Sequence, residues 1–380
     1  MTTWTAVNAR RLAQHGLATP FASGTDPAGV AAATVGVHAQ VLSAAEISAA
    51  LRLGGATRAD VRRALWHDRT LVKTFGPRGT VHLLPAADLA SWMAALAAIP
   101  WRSPFPEGVR LTAGQTESVV AAIGEALREC ELTVDELTEA LGDLAGPWAV
   151  EPVMPAFQTL WPRWRQVTDR AAYAGALCYG PDRARKITYT HPSRWAGELA
   201  SVDSATAVVW LVEQYLRSYG PATSASFAQW AGAPPAWADG RIAAHPGVVG
   251  TELDGEPAWD LPDTSYDVPA AQGVRLLPYF DAFVVGSRPR HLLFPGRARE
   301  RALSPSGQAG NYPVLLVDGE VAGVWHQRRS GRRVAVTVEP LRRLPKARLA
   351  DLDVQVARLG EIVEAEATFM IGEVPVGPHA

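Results

Sequence analysis

Apolar positions along this chain switch repeatedly between helical spacing and strict alternation. Three times a mostly helical stretch leads into two short alternating runs around a tight turn. The first pair is residues 71–75 and 80–85 around Gly76-Pro77-Arg78-Gly79. The second is residues 176–179 and 186–190 around Gly180-Pro181-Asp182-Arg183, and the third is residues 248–253 and 256–260 around Asp254-Gly255. Each pair has the turn chemistry of a β-hairpin, and helices followed by a hairpin predict a winged helix, a variant of the helix-turn-helix. Two helix starts support this: Thr133 with Glu136 fits a capping box, and residues 224–230 follow the loop at Gly220-Pro221.

After Gln272 the pattern becomes β. An apolar run at residues 275–285 surrounds Phe280-Asp281. Residues 314–317, 321–327 and 334–338, with turns at Asp318-Gly319 and Ser330-Gly331, then predict a meander. Pro345 ends it, and residues 346–367 carry Leu349, Leu352, Val356, Leu359 and Ile362 at helical spacing. Residues 286–313, with several Gly, Ser and Pro, predict an exposed loop. The expected fold class is α+β, with three tandem winged-helix units at 1–105, 106–200 and 201–272 and a C-terminal β-meander and helix at 273–380.

Composition sets bounds. The 380 residues are 48% hydrophobic with mean hydropathy near zero, which suits a globular chain with ample core. No apolar run approaches the roughly 20 residues of a membrane span, and the N-terminus lacks a secretory pattern, so a cytoplasmic protein is expected. Cys130 and Cys178 are isolated and read as core thiols. Nucleotide-loop, dinucleotide and zinc spacings are absent, so neither cofactor nor metal is expected.

Net charge is only −2, but it is unevenly distributed. Residues 288–348 hold twelve arginines and one lysine against Glu300, Asp318, Glu320 and Glu339, a local charge of +9 that leaves −11 elsewhere. Such asymmetry fits a polyanion-binding face on an acidic body. Candidate phosphate contacts are Arg288, Arg290, Arg297 and Arg299 in the expected loop, and Arg328, Arg329, Arg332 and Arg333 at one hairpin tip. The first wing adds Lys73, Arg78 and, on its return strand, His82; the second adds Arg183, Arg185 and Lys186. The third carries Glu252, Asp254, Glu256 and Asp260, which repel phosphate and mark it as scaffold. The thirteen tryptophans, including Trp161 and Trp164, read mainly as core.

One polar interruption stands out, at Val35-Gly36-Val37-His38-Ala39-Gln40-Val41-Leu42-Ser43-Ala44-Ala45-Glu46. Asp26-Pro27 opens the helix before it, and Ser43 with Glu46 predicts a capping box that starts the next helix near Ala44. In an extended joint His38 and Gln40 share a face, which places a base or water acceptor beside an amide that donates and accepts. The same residues also suit a satisfied junction between helices.

Ala9-Arg10-Arg11-Leu12-Ala13 with Gly16-Leu17, His38-Ala39-Gln40, Arg78-Gly79-Thr80-Val81-His82, Leu277-Pro278-Tyr279-Phe280-Asp281 and Gly323-Val324-Trp325 follow one another in an order that resembles the bacterial winged-helix DNA glycosylases of the AlkZ and YcaQ type. The resemblance runs over nearly the whole chain. It implies a concave surface for double-stranded DNA and excision of N7-alkylated guanine, including interstrand crosslinks made by genotoxic natural products, by a monomer in self-resistance or base excision repair. Its catalytic motif is Gln-hydrophobic-Gln, or Gln-hydrophobic-Asp in one branch. Gln40 matches the third position, Ala39 the middle, and His38 departs from the first. The implied roles are water orientation by Gln40, and holding or deprotonation of that water by His38, whose unperturbed pKa lies near neutrality. No catalytic lysine is evident, which favours monofunctional hydrolysis. Two other classes use the same features. A transcriptional regulator reading symmetric half-sites would need a dimerisation helix, and none is evident. A drug-binding resistance protein would need a tryptophan-lined apolar pocket and no DNA.

Overall fold

A computed structural model of the chain describes residues 3–156 and 159–377. Helix Pro27–Ala33, the two-residue strand Val37–His38, helices Leu42–Leu51 and Arg58–Trp66, and the hairpin Leu71–Phe75 with Val81–Pro85 follow in order. Strand Val81–Pro85 lies between the other two and pairs antiparallel with both. Asp26 accepts from the Gly29 amide to start the first helix. Val35 (φ 54°) and Gly36 (φ 91°) end it, turning the chain sharply into the short strand.

The same order recurs. Helix Ala113–Leu127, strand Glu131–Thr133, helix Val134–Leu144 and, beyond a short hairpin and helix Thr168–Tyr173, the hairpin Cys178–Arg183 with Lys186–Thr190 form a second three-stranded unit. Helices Ser204–Tyr219, Ser224–Ala231 and Pro235–Ala243 with the hairpin Val249–Leu253 and Glu256–Asp260 form a third, where a bridge between Ala222 and Trp259 replaces the first strand. The C-terminal part is a five-stranded sheet ordered Val274–Leu277, Val314–Val317, Glu320–Ser330, Arg333–Pro340, Glu366–Ile371, with helix Lys346–Val363 packed against it. No helix among the described residues is long and apolar enough to cross a membrane.

Several expectations are corrected. Ser43 caps nothing: the helix starts at Leu42, with no side-chain cap on Val41. Glu46 instead accepts from Arg58 (2.6 Å) and Arg62 (2.7 Å) of the next helix, because two guanidinium groups outcompete one backbone amide for a buried carboxylate. The second hairpin turns at Ala184-Arg185 (φ 50° and 66°), beyond the expected Gly180–Arg183 turn, with a register shift between Gly180 and Arg183. Residues 286–313 are no simple exposed loop. Helices Arg290–Leu293 and Arg297–Ala302 bury Leu293, Phe294, Ala298 and Ala302 in an apolar cluster. The terminal helix stops at Val363, where Glu364 turns left-handed (φ 54°), and residues 366–371 become a sheet edge.

One core joins the first unit to the C-terminal sheet, with Ile47, Ala49, Val61 and Leu65 meeting Leu276, Leu315, Trp325 and Val336. Inside this contact Arg52 pairs bidentately with Asp281 at 2.8 Å, both side chains inaccessible, and Ser48 donates to the same carboxylate at 2.7 Å. A second cluster joins Leu84 and Trp92 to Tyr215, Phe227 and Trp230 of the third unit. The first unit is thus clamped on both sides.

Candidate active site

His38 lies at the end of its strand, opposite His82. The chain stays extended through Ala39, whose amide donates to the Val81 carbonyl at 2.7 Å. The pleat therefore sends His38 and Gln40 to the same side, as the sequence predicts, and both line one cavity of about 550 Å3. Gln40 is exposed at its edge, and its Oε1 accepts from the Val81 amide at 2.9 Å. That bond fixes which end of the amide is which. Oε1 faces the strand with one lone pair spare, and the NH2 group is free to donate.

His38 is almost fully buried, with its ring 4.2 Å from that of His82 and its Nε2 3.3 Å from Arg78 Nη2. Burial first, then His82 and Arg78, hold its pKa well below 6.5. The imidazole is neutral at physiological pH and presents Nε2 as an acceptor. The expected near-neutral titration is corrected by this burial, which no local pattern reveals. His82 is corrected too. It is an interior residue rather than a DNA contact, its Nδ1 donating to the Thr80 carbonyl at 2.8 Å, and burial brings its pKa down to about 3. Its ring fills the space beside Gly76, where a Cβ would lie 2.6 Å from it.

Arg78 occupies the turn with a positive φ of 63°, and Tyr173 of the second unit holds that turn. The Tyr173 hydroxyl donates to the Gly76 carbonyl (2.6 Å) and accepts from the Gly79 amide (3.2 Å). The third unit completes the grip, as Arg78 donates to the Trp230 carbonyl and its backbone crosses Gly232, where a Cβ would meet Arg78 Cα at 2.9 Å. Across the cavity stand Arg288 and Arg290. Arg290 is half-buried, not loop-exposed: it donates to the carbonyls of Val284, Val285 and Ser287. Ser226, Gln229 and Trp230 from the third unit and Phe280, Gln308 and Asn311 from the C-terminal part close the wall. Among the described residues neither Asp nor Glu nor Lys lines it. Sequence reasoning missed the neutral wall residues, although Phe280 lies in a quoted motif and turns left-handed (φ 55°).

Of the remaining basic residues, Arg297, Arg299, Arg328, Arg329, Arg332 and Arg333 are exposed. The side chains of Arg328 and Arg332 make no ion pair or hydrogen bond among the described residues, whereas Arg329 donates to the Val363 carbonyl and Arg333 lies 3.9 Å from Glu366. Arg183 and Lys186 pair with Glu136 and Asp135. Arg185, at the turn, stays unpaired among the described residues. Trp164 is core, as expected, but Trp161 is exposed under Arg165 at 3.8 Å. Arg11 is buried and ties the carbonyls of Gly220, Pro221 and Arg288 together, so the opening motif aligns the third unit with the cavity rim. A slightly larger depression of about 630 Å3, between Arg10, Glu213, Arg217 and Asp263, holds none of the predicted site residues.

His38 and Gln40 occupy the motif on which the resemblance to the winged-helix DNA glycosylases partly rests, and comparison with known proteins bears out the family. The family described as DNA glycosylase AlkZ-like matches residues 31–362, and the chain belongs to it: it is a DNA glycosylase. An interstrand DNA cross-link repair glycosylase of Streptomyces sahachiroi is 30% identical over 312 residues, 76% of this chain and 79% of that protein. The solved structure of the S. sahachiroi DNA glycosylase AlkZ superimposes with a TM-score of 0.81 over 98% of this chain and 100% of that one at 24% identity, and so shares the mixed α+β fold.

Proposed function

We propose that this glycosylase excises N7-alkylated guanine from double-stranded DNA, crosslinked guanine included, by monofunctional hydrolysis at His38 and Gln40. The observation that carries the reading is their convergence on a cavity with three guanidinium groups and, among the described residues, no carboxylate or lysine in its lining. A site without a general acid needs a leaving group that departs unaided. Guanine alkylated at N7 is already cationic and leaves neutral. A site without lysine has no amine to form a Schiff base with the sugar, so the abasic product should persist. What remains is to place water: Gln40 orients it at the anomeric carbon and the neutral His38 accepts its hydrogen bond, and as the new C–O bond replaces the broken N-glycosyl bond the water's proton passes to solvent. The repeated helix–hairpin units, read as three winged helices over 1–105, 106–200 and 201–272, with the remainder from 273 bearing the basic hairpin, form a concave surface. Across it Arg185, Arg297, Arg299, Arg328 and Arg332 contact phosphates. A monomer suffices, because all parts of the cavity come from one chain. The cross-link repair name of the Streptomyces relative supports extending this reading to crosslinks.

Purified protein incubated with duplex containing 7-methylguanine should release the free base and leave an abasic strand that breaks only after alkali. No release under excess enzyme, or strand cleavage without alkali, contradicts the reading.

A further inference from the structure

Three guanidinium groups enter the catalytic cavity from two parts of the chain, Arg78 on the first hairpin turn and Arg288 and Arg290 before helix Arg290–Leu293 or at its start. Among the described residues no carboxylate lines the cavity beside them. Burial lowers the pKa of each, and Arg290 is lowered further by Arg288 and Arg78. Like charges held partly out of water without a counter-charge are unfavourable until an anion joins them. The geometry is open to one. The Arg288 guanidinium makes no hydrogen bond among the described residues, while its carbonyl is fixed by buried Arg11. Arg290 Nε is buried without a partner. Gln229, Gln308 and Asn311 supply neutral donors on the same wall.

We propose that the cavity is built around one backbone phosphate of the strand being cut, gripped in bidentate fashion by Arg288, with Arg78 and Arg290 supplying the rest of the positive field. This rests on the reading of His38 and Gln40 as the hydrolytic pair, and adds which substrate group enters beside them. A phosphate here also competes for Arg78, whose Nη2 now covers His38 Nε2 at 3.3 Å. Its arrival frees the imidazole to accept water, so backbone binding and water placement are coupled.

The test uses binding, not excision. A duplex with a tetrahydrofuran abasic analogue is titrated with the full-length protein while each neighbouring linkage in turn is made an uncharged methylphosphonate. For one linkage, neutralisation should weaken wild-type binding about tenfold and Arg288→Gln binding less than about twofold, the signature of a lost shared contact. Arg288→Lys, which keeps the charge without the fork, should fall between, and Arg217→Gln, at the separate depression, should keep the wild-type dependence. Equal losses in wild type and Arg288→Gln at every linkage, or none anywhere, overturn the proposal. Inorganic phosphate that raises the melting temperature of wild type without any such linkage shows an adventitious anion only, and overturns it equally. If the linkage couples to Arg288 but 7-methylguanine is not released, the lesion assignment fails and the phosphate site stands.

Discussion

His38 has the side chain of a base in the surroundings of a neutral acceptor. Burial, His82 and Arg78 all disfavour its protonated form, so its folded pKa lies well below 6.5. Base catalysis by an ordinary imidazole would raise the rate through an inflection near pH 6.5. Here the neutral form dominates from well below that value, so single-turnover excision should be flat between about pH 6 and 8. His38→Gln, which keeps an acceptor but cannot take a proton, should retain most activity over the same range. A sigmoidal rise that disappears in His38→Gln would mean that His38 acts as base. Buried histidines also set acid stability. His15 and His82 are fully buried with pKa values of about 3, while an unfolded histidine takes its proton near 6.5. Below 6.5 the unfolded state therefore binds the extra protons, and each residue lowers stability by about 1.4 kcal/mol per pH unit until its folded pKa is reached. Urea unfolding at pH 5 should show a loss on the order of 2 kcal/mol for each relative to pH 7. An unchanged midpoint would contradict their burial as neutral rings. That His38 and Gln40 share a face was legible from the two-residue strand period; the suppressed proton affinity was not, because strand Val81–Pro85 and the Arg78 turn come from forty residues further along the chain.

The hairpins were the most legible elements, since alternation and turn chemistry are local. Asp254-Gly255 and Asp318-Gly319 turn where they were expected, each with positive φ at both residues. Failures arose where a partner distant in sequence took over a side chain, as Arg58 and Arg62 took Glu46 from Ser43. The same distinction separates the basic hairpins. At the tip beyond strand Glu320–Ser330, Arg328 and Arg332 are unpaired among the described residues, whereas Arg183 and Lys186 already face Glu136 and Asp135. Arg328→Gln with Arg332→Gln should lower the slope of log affinity against log salt by about 0.9 per lost phosphate contact, with melting temperature nearly unchanged. Arg183→Gln should change the slope much less, because its charge is partly compensated in the free protein. Fluorescence anisotropy of duplex binding across a salt series measures both, and equal slopes for all variants would place the basic tip away from DNA.

At the level of the whole molecule, the cavity exists because three parts of the chain meet, and buried polar contacts set how they meet. The uneven charge distribution was visible in sequence; the contacts aligning its parts were not, since Arg52 and Asp281 lie 229 residues apart. Removing the carboxylate while keeping the arginine leaves an uncompensated buried cation, so Asp281→Ala should cost about 3–5 kcal/mol by chemical denaturation. A cost below about 1 kcal/mol would show that the pair does not fasten the first unit to the sheet. The most direct test of the assembled site is single-turnover release of 7-methylguanine from duplex DNA by wild type and Gln40→Ala, with binding to undamaged duplex measured alongside. Gln40 carries no charge, so binding should be preserved, while release should slow at least about tenfold, roughly 1.4 kcal/mol of barrier. Wild-type release that Gln40→Ala reproduces at full rate would contradict water placement by this motif and return His38-Ala39-Gln40 to a junction between helices.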